Sequence, residues 1–322
     1  MKPRLATILA HVNIQCVKIL DACISLRLIA SHQHAFTKMT NPQQGQWIRL
    51  NCGFLLLLFP AFAVGQTTVI VRLTPTDVVV GVDSLQTRTL SRINELGRRE
   101  EIVDTSLICK LARTGNRAFV FAGKTGTRNN GHDISLGVLA AGSKALRLSR
   151  SIAASADGFV QAITDRLSAQ LESERNSDIS SYRIQTWNSE TLATKDVLQV
   201  LFVGIEKGIP TVAFRGFRVV NAETQPVKIK AETDTRVCTL KDCNPPIFLG
   251  HFENILWYWQ DQLFWKEKGS VEGVRFLIDT MGKARNDVGG PTDIVRITKD
   301  GAEWVSEEPK CDNEGKRESQ PK

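Results

Sequence analysis

The chain has 322 residues, of which 42% are hydrophobic and 23% charged, a balance typical of a soluble globular protein. Its formal net charge of +7 comes mostly from the first 64 residues, because residues 65–322 hold 35 basic against 33 acidic side chains. So small an excess gives no argument for nucleic-acid binding. One α/β domain can hold everything after residue 64.

Residues 1–64 have the pattern of a leader with a secretory signal. Within them Met39 offers a second start, since a basic Arg49 and an apolar run over residues 54–64 follow it, with small residues at the end. The run is about half of the 20 residues that a transmembrane helix needs. A stable membrane span is therefore the minor alternative, and we expect export to the periplasm or the extracellular space.

A β-hairpin is predicted directly after the leader. Thr67–Leu73 and Val78–Val82 are β-branched runs, and Thr74–Asp77 between them contains a proline, which is typical of a turn. In an antiparallel pair the end of the second strand lies beside the start of the first, which brings Asp83 next to Thr67. A hydroxyl at a new N-terminus beside a carboxylate is the arrangement of a hydrolase whose terminal amine is the general base.

The hairpin resembles the opening of proteasome core-particle subunits, which are members of the N-terminal nucleophile (Ntn) hydrolase class. In that family a Thr-rich strand, a short turn and a strand ending in Ala/Val-Asp-Ser come first, and Val82-Asp83-Ser84 reproduces this ending. A gap-free count back from Asp83 places Thr67 at the family's nucleophile. If the turn holds one extra residue, Gln66 takes that position and this chemistry is impossible.

The polar stretch Thr87–Asp104 is predicted to be a solvated loop with a short helical turn. A second strand pair, Ser106–Leu111 and Arg117–Ala122, follows around a Gly-containing turn. Its end, Ala122-Gly123, resembles the end of the family's second hairpin.

Two helices are predicted next, one from Asp133 to about Ser149 and one capped by Ser155. The second carries an apolar stripe at helical spacing: Phe159, Val160, Ile163, Leu167 and Leu171. The resemblance implies paired helices on one side of a sheet. We expect the helix at Ser155 to cover a sheet formed by Val78–Val82 and Arg117–Ala122.

The remaining elements are two strands around Glu206-Lys207-Gly208, an irregular stretch over 221–246, a short strand at Pro246–Gly250 and a helix over Ser270–Lys283. The aromatic cluster at 257–265 is expected to be buried packing or a subunit contact rather than a sugar site.

The segment Asp287–Gly301, which contains a Gly-Gly-Pro sequence, resembles the family's closing turn and strand. Together the elements imply an α+β fold, the four-layer αββα sandwich of proteasome-like Ntn hydrolases, over residues 65–305. Residues 306–322 are a charged tail that we expect to be disordered.

Thr67, Asp83 and Lys110 are the candidate catalytic residues. Family enzymes place a lysine near the nucleophile. Strand phase puts that position at or near Leu107, whereas Lys110, the only lysine of the strand, is expected to point outward.

Two serines of the family's site are replaced by His251 and Val288, and neither Asp287 nor Asp293 fits the family's register for a carboxylate. His251 is an alternative base, since imidazole titrates near neutrality, although a structural role is the more common one. We therefore expect weak or no peptidase activity.

Cys109, Cys238, Cys243 and Cys311 follow the leader. Cys238 and Cys243 lack the second ligand pair that zinc needs, and export favours a disulfide between them. Cys109 lies in an apolar run and is expected to be plain core.

Two functions remain open. The first is an exported threonine-type peptidase or amidohydrolase with a degenerate site, acting on a peptide or amide substrate. The second is a non-catalytic structural or binding protein on the same fold, acting through assembly, with further copies of the chain as partners. Neither requires a cofactor or a metal.

Export should remove the leader to about Val64 or Gln66, because Ala61–Ala63 and Ala63–Gly65 both supply the small residues of a signal cleavage site. An intact-mass measurement on protein recovered from an extracytoplasmic fraction checks this. A mass that retains Phe54–Phe62 would contradict the signal-peptide interpretation and favour a membrane anchor.

Overall fold

A computed structural model describes residues 67–93, 99–129, 132–188, 193–223, 225–237, 246–258 and 261–306. They all belong to a unit that runs from Pro60 to Lys322. The leader cleavage site, Gln66, the cysteines Cys238, Cys243 and Cys311, and the tail after 306 lie outside the described residues.

The strands in chain order are β1 (Thr68–Leu73), β2 (Asp77–Asp83), β3 (Leu85–Ile93), β4 (Arg99–Leu107), β5 (Leu111–Thr114), β6 (Arg117–Gly123), β7 (Gly126–Asn129), β8 (His132–Ser135), β9 (Trp187–Asn188), β10 (Ala193–Thr194), β11 (Asp196–Glu206), β12 (Ile209–Val219), β13 (Ile229–Val237), β14 (Ile247–Gly250), β15 (Thr292–Thr298) and β16 (Gly301–Ser306). The helices are α1 (Val138–Leu148), α2 (Ile152–Ser177), α3 (Ile179–Thr186), a 3-10 helix (Glu253–Tyr258) and α4 (Gln262–Ala284).

The fold is a mixed one of helices and antiparallel sheets, two of which have five strands each. The first sheet has the order β14-β1-β2-β15-β16, and the second has the order β13-β12-β11-β6-β5. The predicted opening hairpin is confirmed, since β1 pairs with β2 in a register that sets Val69 opposite Val82. The strand pair around Glu206-Lys207-Gly208 is confirmed as β11 and β12.

Central strands of both sheets are buried on both faces, and alternate residues join different hydrophobic clusters. In β1, Val69 and Val71 pack in a cluster that contains Val120 and Leu201 of the second sheet, whereas Ile70 packs against α4. The same alternation runs through β6 and β11, whose other face packs against α1 and α2. Burial on both faces explains why these strands are continuous apolar runs rather than alternating ones.

Helix α2 covers the second sheet only, so the expectation that the helix at Ser155 covers a sheet made of both hairpins is wrong. The two hairpins belong to different sheets, with β2 in the first and β6 in the second. The predicted apolar stripe of this helix nevertheless faces the core, because Phe159, Ile163, Leu167 and Leu171 are all fully buried in one cluster.

The predicted starts of both helices are wrong. The side chain of Ser151, not Ser155, caps α2 by accepting a hydrogen bond from Ala154 N at 3.1 Å. Ser155 lies in the first turn of the helix and donates its hydroxyl to the Ser151 carbonyl oxygen. Asp133 lies in β8, and α1 begins only at Val138.

Helix α4 covers the first sheet, with Val274, Leu277, Ile278 and Met281 inward as predicted. It begins at Gln262, before the predicted start, and breaks at Gly269, which has φ 74°. Packing explains part of the aromatic cluster, since Phe264 and Trp265 are buried, while Trp257 is 73% exposed.

Two stretches have more strand than the sequence predicted, and a third is divided between two strands. Thr87–Asp104, expected to be a loop, lies within the antiparallel pair β3–β4. The irregular stretch 221–246 contains β13, which pairs with β12 along nine residues of register. Ser106 and Leu107 belong to β4 rather than to the strand before the Gly turn, which begins at Leu111 as β5.

Within the described ranges, no helix combines the length and apolar character needed to span a membrane.

Replacing Phe159 by Ala should lower the free energy of unfolding by about 3–5 kcal/mol, because the ring packs against Phe119 and Phe202 between α2 and the second sheet. Urea unfolding measures the loss. Gln161→Ala, at an exposed position of the same helix, is the matched control and should change stability by less than about 0.5 kcal/mol. Equal losses in the two variants would contradict this assignment of the core.

Candidate active site

The start of β1 and the end of β2 bring Thr67 and Asp83 together, as antiparallel pairing predicts. Both side chains are buried, and Asp83 is fully so. Asp83 Oδ1 accepts a hydrogen bond from the backbone N of Thr68 at 2.7 Å. The carboxylate therefore fixes the first peptide unit of the strand.

Lys110 completes the cluster. Its Nζ donates to Thr67 Oγ1 at 2.7 Å, to Asp83 Oδ2 at 3.3 Å and to the Leu85 carbonyl oxygen at 2.5 Å. An ammonium group is a donor only, so it binds these oxygens from three different parts of the chain. The structure thus brings together all three residues that the sequence singled out.

The expected outward orientation of Lys110 is wrong. Lys110 is 2% exposed, whereas Leu107 is 40% exposed at the end of β4. Strand phase failed because Lys110 lies between β4 and β5 rather than in a strand. A lysine in an apolar stretch was the signal for burial that could have corrected it.

Burial raises the pKa of the Asp83 carboxyl above its ordinary value. The Lys110 charge and hydrogen bonds from Thr68 N and Gly289 N act in the opposite direction. The ion pair between Lys110 and Asp83 is almost completely removed from water. Removing one partner of such a pair leaves an uncompensated buried charge, which costs about 3–5 kcal/mol in typical proteins.

A turn at the end of β14 holds the start of β1 from its other side. His251 N donates to the Thr67 carbonyl oxygen at 2.8 Å, and Thr68 Oγ1 donates to the His251 carbonyl oxygen at 2.8 Å. Gly250 has φ 71°, and a β-carbon there would lie 1.9 Å from the Thr67 carbonyl oxygen. Only glycine fits this contact. The sequence did not predict it.

The Gly-Gly-Pro loop supports the carboxylate. Gly289 N donates to Asp83 Oδ2 at 3.3 Å, and the Gly289 carbonyl oxygen accepts from Leu85 N at 2.9 Å. Ser84 Oγ donates to the Pro291 carbonyl oxygen at 2.6 Å. The motif that the sequence marked as distinctive therefore acts through its backbone.

The other residues considered from the sequence have separate places. Val288 is buried in the cluster under α4, and Asp293 is fully buried in β15, opposite Val82. Asp287 contacts Arg285 and His251. Cys109 is buried and disulfide-bonded, so the expectation of a plain core thiol is wrong.

The geometry can stabilise negative charge on Thr67 Oγ1, because an ammonium group faces that oxygen inside a water-poor site. Within the described residues, Lys110 is the side chain that hydrogen-bonds to Oγ1, and its ammonium form is a donor rather than a base. A base must come from elsewhere, and the α-amine of Thr67 would be the nearest one if the preceding bond were cut.

No family model matches the chain, and no curated protein matches it. Among solved structures, it is similar to Anbu (ancestral beta-subunit) from Yersinia bercovieri, with a TM-score of 0.34 and 11% identity over 75% of this chain and 88% of that one. It is also similar to the Anbu (Gly-1) mutant from Hyphomicrobium sp. strain MC1, with a TM-score of 0.37 and 12% identity over the same shares.

These findings overturn the sequence-based assignment to proteasome core-particle subunits. That assignment rested on short motifs, yet no family model supports it, and the two solved structures named above are Anbu proteins with low structural overlap. Similarity at this level carries no argument about fold or function. The case for a function therefore rests on the site's own geometry.

Gly250→Ala should lower the free energy of unfolding by clearly more than Gly208→Ala. Both glycines have positive φ, but an added β-carbon clashes with the Thr67 carbonyl oxygen only at Gly250, while nothing lies within 4 Å at Gly208. The left-handed backbone alone costs about 1–2 kcal/mol, so urea unfolding of the two variants separates strain from the clash. Equal losses would show that the turn does not press on Thr67.

Proposed function

We propose that the protein is an exported hydrolase that cleaves amide or peptide bonds with Thr67 as an N-terminal nucleophile. The observation that carries this proposal is the contact between the Lys110 ammonium and Thr67 Oγ1, at 2.7 Å, in a buried site that also holds Asp83. Export rests on the leader pattern of residues 1–64.

The chemistry requires a cut between Gln66 and Thr67, because the base is the amine that this cut releases. The amine takes the proton of the Thr67 hydroxyl as Oγ1 attacks the carbonyl carbon of the substrate. The proton then passes to the leaving nitrogen, the C–N bond breaks, and an ester joins the acyl group to Oγ1. Water hydrolyses this ester, which returns a proton to Oγ1 and releases a carboxylic acid.

Each residue of the cluster has a defined part in this reaction. Lys110 stabilises the negative charge that develops on Oγ1. Asp83 holds the ammonium in place and fixes the Thr68 amide. Electrostatic groups of this kind typically contribute a factor of about 10² to 10³ to turnover.

We also infer that the layers follow the order helices, second sheet, first sheet, helix, which is the αββα sandwich. The alternation of buried residues supports it. Val69 and Val71 share a cluster with Val120 and Leu201 of the other sheet, while α2 and α4 contact the opposite faces. In this arrangement Thr67 lies at the start of β1, an inner strand of the first sheet.

A non-catalytic binding protein on the same fold is the second candidate. The position of the predicted signal cleavage favours it, because cutting after Ala63 or Gly65 leaves at least one residue ahead of Thr67. In such a chain the Lys110 contacts would serve only to tie strands together. Assembly with further copies of the chain belongs to this candidate.

The replaced serines led us to expect weak or no activity from the sequence, but the Lys110 contact with Thr67 Oγ1 favours turnover. Protein prepared to begin at Thr67 should hydrolyse at least one peptide of a fluorogenic panel, and Thr67→Ala should abolish that turnover. Asp83→Asn should reduce it by a factor of about 10² or more, because the ammonium loses its ionic partner. Thr76→Ala, a threonine in the exposed turn of the same hairpin, is the matched control and should retain full turnover.

Turnover that survives Thr67→Ala would exclude Thr67 as the nucleophile. Absence of turnover from the Thr67-initiated protein, with correct folding verified by circular dichroism, would favour the binding protein.

A further inference from the structure

The contact between Lys110 and Thr67 crosses from one sheet to the other. Thr67 lies at the start of β1 in the first sheet, whereas Lys110 directly precedes β5 of the second sheet. The Lys110 carbonyl oxygen accepts a hydrogen bond from Phe121 N of β6 at 3.3 Å, so its backbone is attached to the second sheet. The distance between the Lys110 ammonium and the Thr67 hydroxyl therefore depends on how the two sheets are joined at this end.

Gln199 of β11 joins the sheets there. Alternate residues of β11 face the first sheet, and Leu201 and Val203 pack in the cluster that both sheets share. Gln199 belongs to the same alternation, and its side-chain oxygen Oε1 accepts a hydrogen bond from Gly250 N at 3.3 Å. A polar side chain of the second sheet thus binds the backbone of the turn that contacts Thr67.

This hydrogen bond lies close to the point where Lys110 is attached. Gln199 is paired with Ala122 of β6, the residue after Phe121. Gly250 packs at the same place, since a β-carbon on it would lie 3.4 Å from Ala122 Cβ. The two sheets are therefore joined one residue away from the strand position that holds the Lys110 backbone.

Asp196 fixes the orientation of the Gln199 side chain. Gln199 Nε2 donates to Asp196 Oδ2 at 3.0 Å, and Asp196 Oδ1 accepts from Arg218 Nε at 3.0 Å. A carboxylate only accepts hydrogen bonds, so the NH2 end of the amide must face Asp196 and its oxygen must face Gly250 N. Gly216 is paired with Gln199, and a β-carbon there would lie 2.8 Å from Asp196 Oδ2, so glycine leaves room for the carboxylate.

We propose that Gln199 is a positioning residue for Thr67. By anchoring the Gly250 turn to the second sheet, it sets the distance from the Thr67 hydroxyl to the Lys110 ammonium. His251, the next residue of the turn, transmits this restraint by donating its backbone N–H to the Thr67 carbonyl oxygen. The catalytic consequence rests on the proposed function, whereas the bridge between the sheets does not.

Swapping the two side-chain types tests the bridge. In Gln199→Glu the introduced carboxylate faces the Asp196 carboxylate, and the two negative charges repel each other. In Asp196→Asn one of the two acceptor positions becomes an NH2 group, so either Gln199 or Arg218 loses its acceptor. In the double variant the introduced amide donates to the introduced carboxylate and accepts from Arg218, while the second carboxylate oxygen accepts from Gly250 N. The double variant therefore restores every contact.

Hydrogen–deuterium exchange of the full chain, resolved to single amides by mass spectrometry, measures the result. Each single variant should speed exchange of the Gly250 amide by a factor of at least about 5, as expected for the loss of one hydrogen bond. The double variant should return to within about 2-fold of the parent rate, because the two sites are directly coupled. Gln161→Glu makes the same chemical change at an exposed position of α2 and is the matched control, which should leave this rate unchanged.

Unchanged exchange at Gly250 in both single variants would overturn the proposal. A double variant whose rate combines the two single effects, without rescue, would overturn it as well. Should a single variant not fold, the double variant decides: folded protein with the parent rate supports the bridge, and a double variant that also fails to fold overturns it.

The catalytic part is tested by fluorogenic-peptide turnover of protein that begins at Thr67. Gln199→Glu should lower kcat several-fold with KM unchanged, and the addition of Asp196→Asn should restore kcat. In a Lys110→Met background, Gln199→Glu should have no further effect, because the contact that it disturbs is already absent. A further loss in that background would overturn the positioning role. If the parent protein has no Thr67-dependent turnover, the proposed function fails, while the exchange experiment still decides the bridge.

Discussion

The site depends on one buried ammonium group. Lys110 Nζ is held by the Thr67 hydroxyl, the Asp83 carboxylate and the Leu85 carbonyl oxygen, which belong to the start of β1, the end of β2 and the start of β3. A buried charge is stable only when its partners are in place, so these three chain segments must stay together. The same requirement that fixes the fold here also places a positive charge against the Thr67 hydroxyl oxygen.

Backbone groups from distant parts of the chain complete this arrangement. In the turn at Gly250, His251 N donates a hydrogen bond to the Thr67 carbonyl oxygen. In the Gly-Gly-Pro loop, Gly289 N donates one to the carboxylate of Asp83. Glycine is required at Gly250 because its backbone is left-handed and touches another backbone atom. Main-chain contacts therefore hold both Thr67 and the Asp83 carboxylate in place.

The sequence predicted the parts of the site that follow from local rules. Antiparallel pairing put Asp83 beside Thr67, and helical periodicity found the buried stripe at Phe159. Lys110 was misplaced because it lies in an irregular link, where strand phase has no meaning. The hairpins were assigned to one sheet because sheet membership depends on long-range pairing, such as that of β15 with β2, which no local pattern encodes. The sequence did not indicate β3 and β4, because both strands are rich in charged residues. The β propensity of a residue reflects how well it fits a half-buried strand surface.

The central claim is that Lys110 activates the Thr67 hydroxyl once its amine is free. The most direct test treats protein that begins at Thr67 with a peptide β-lactone, which acylates a nucleophilic oxygen by ring opening, and locates the adduct by tandem mass spectrometry. The adduct should lie on Thr67 and form far more slowly in Lys110→Met, which keeps an unbranched side chain only one atom shorter and removes its charge. Equal rates in both proteins, or an adduct at another residue, would contradict the claim.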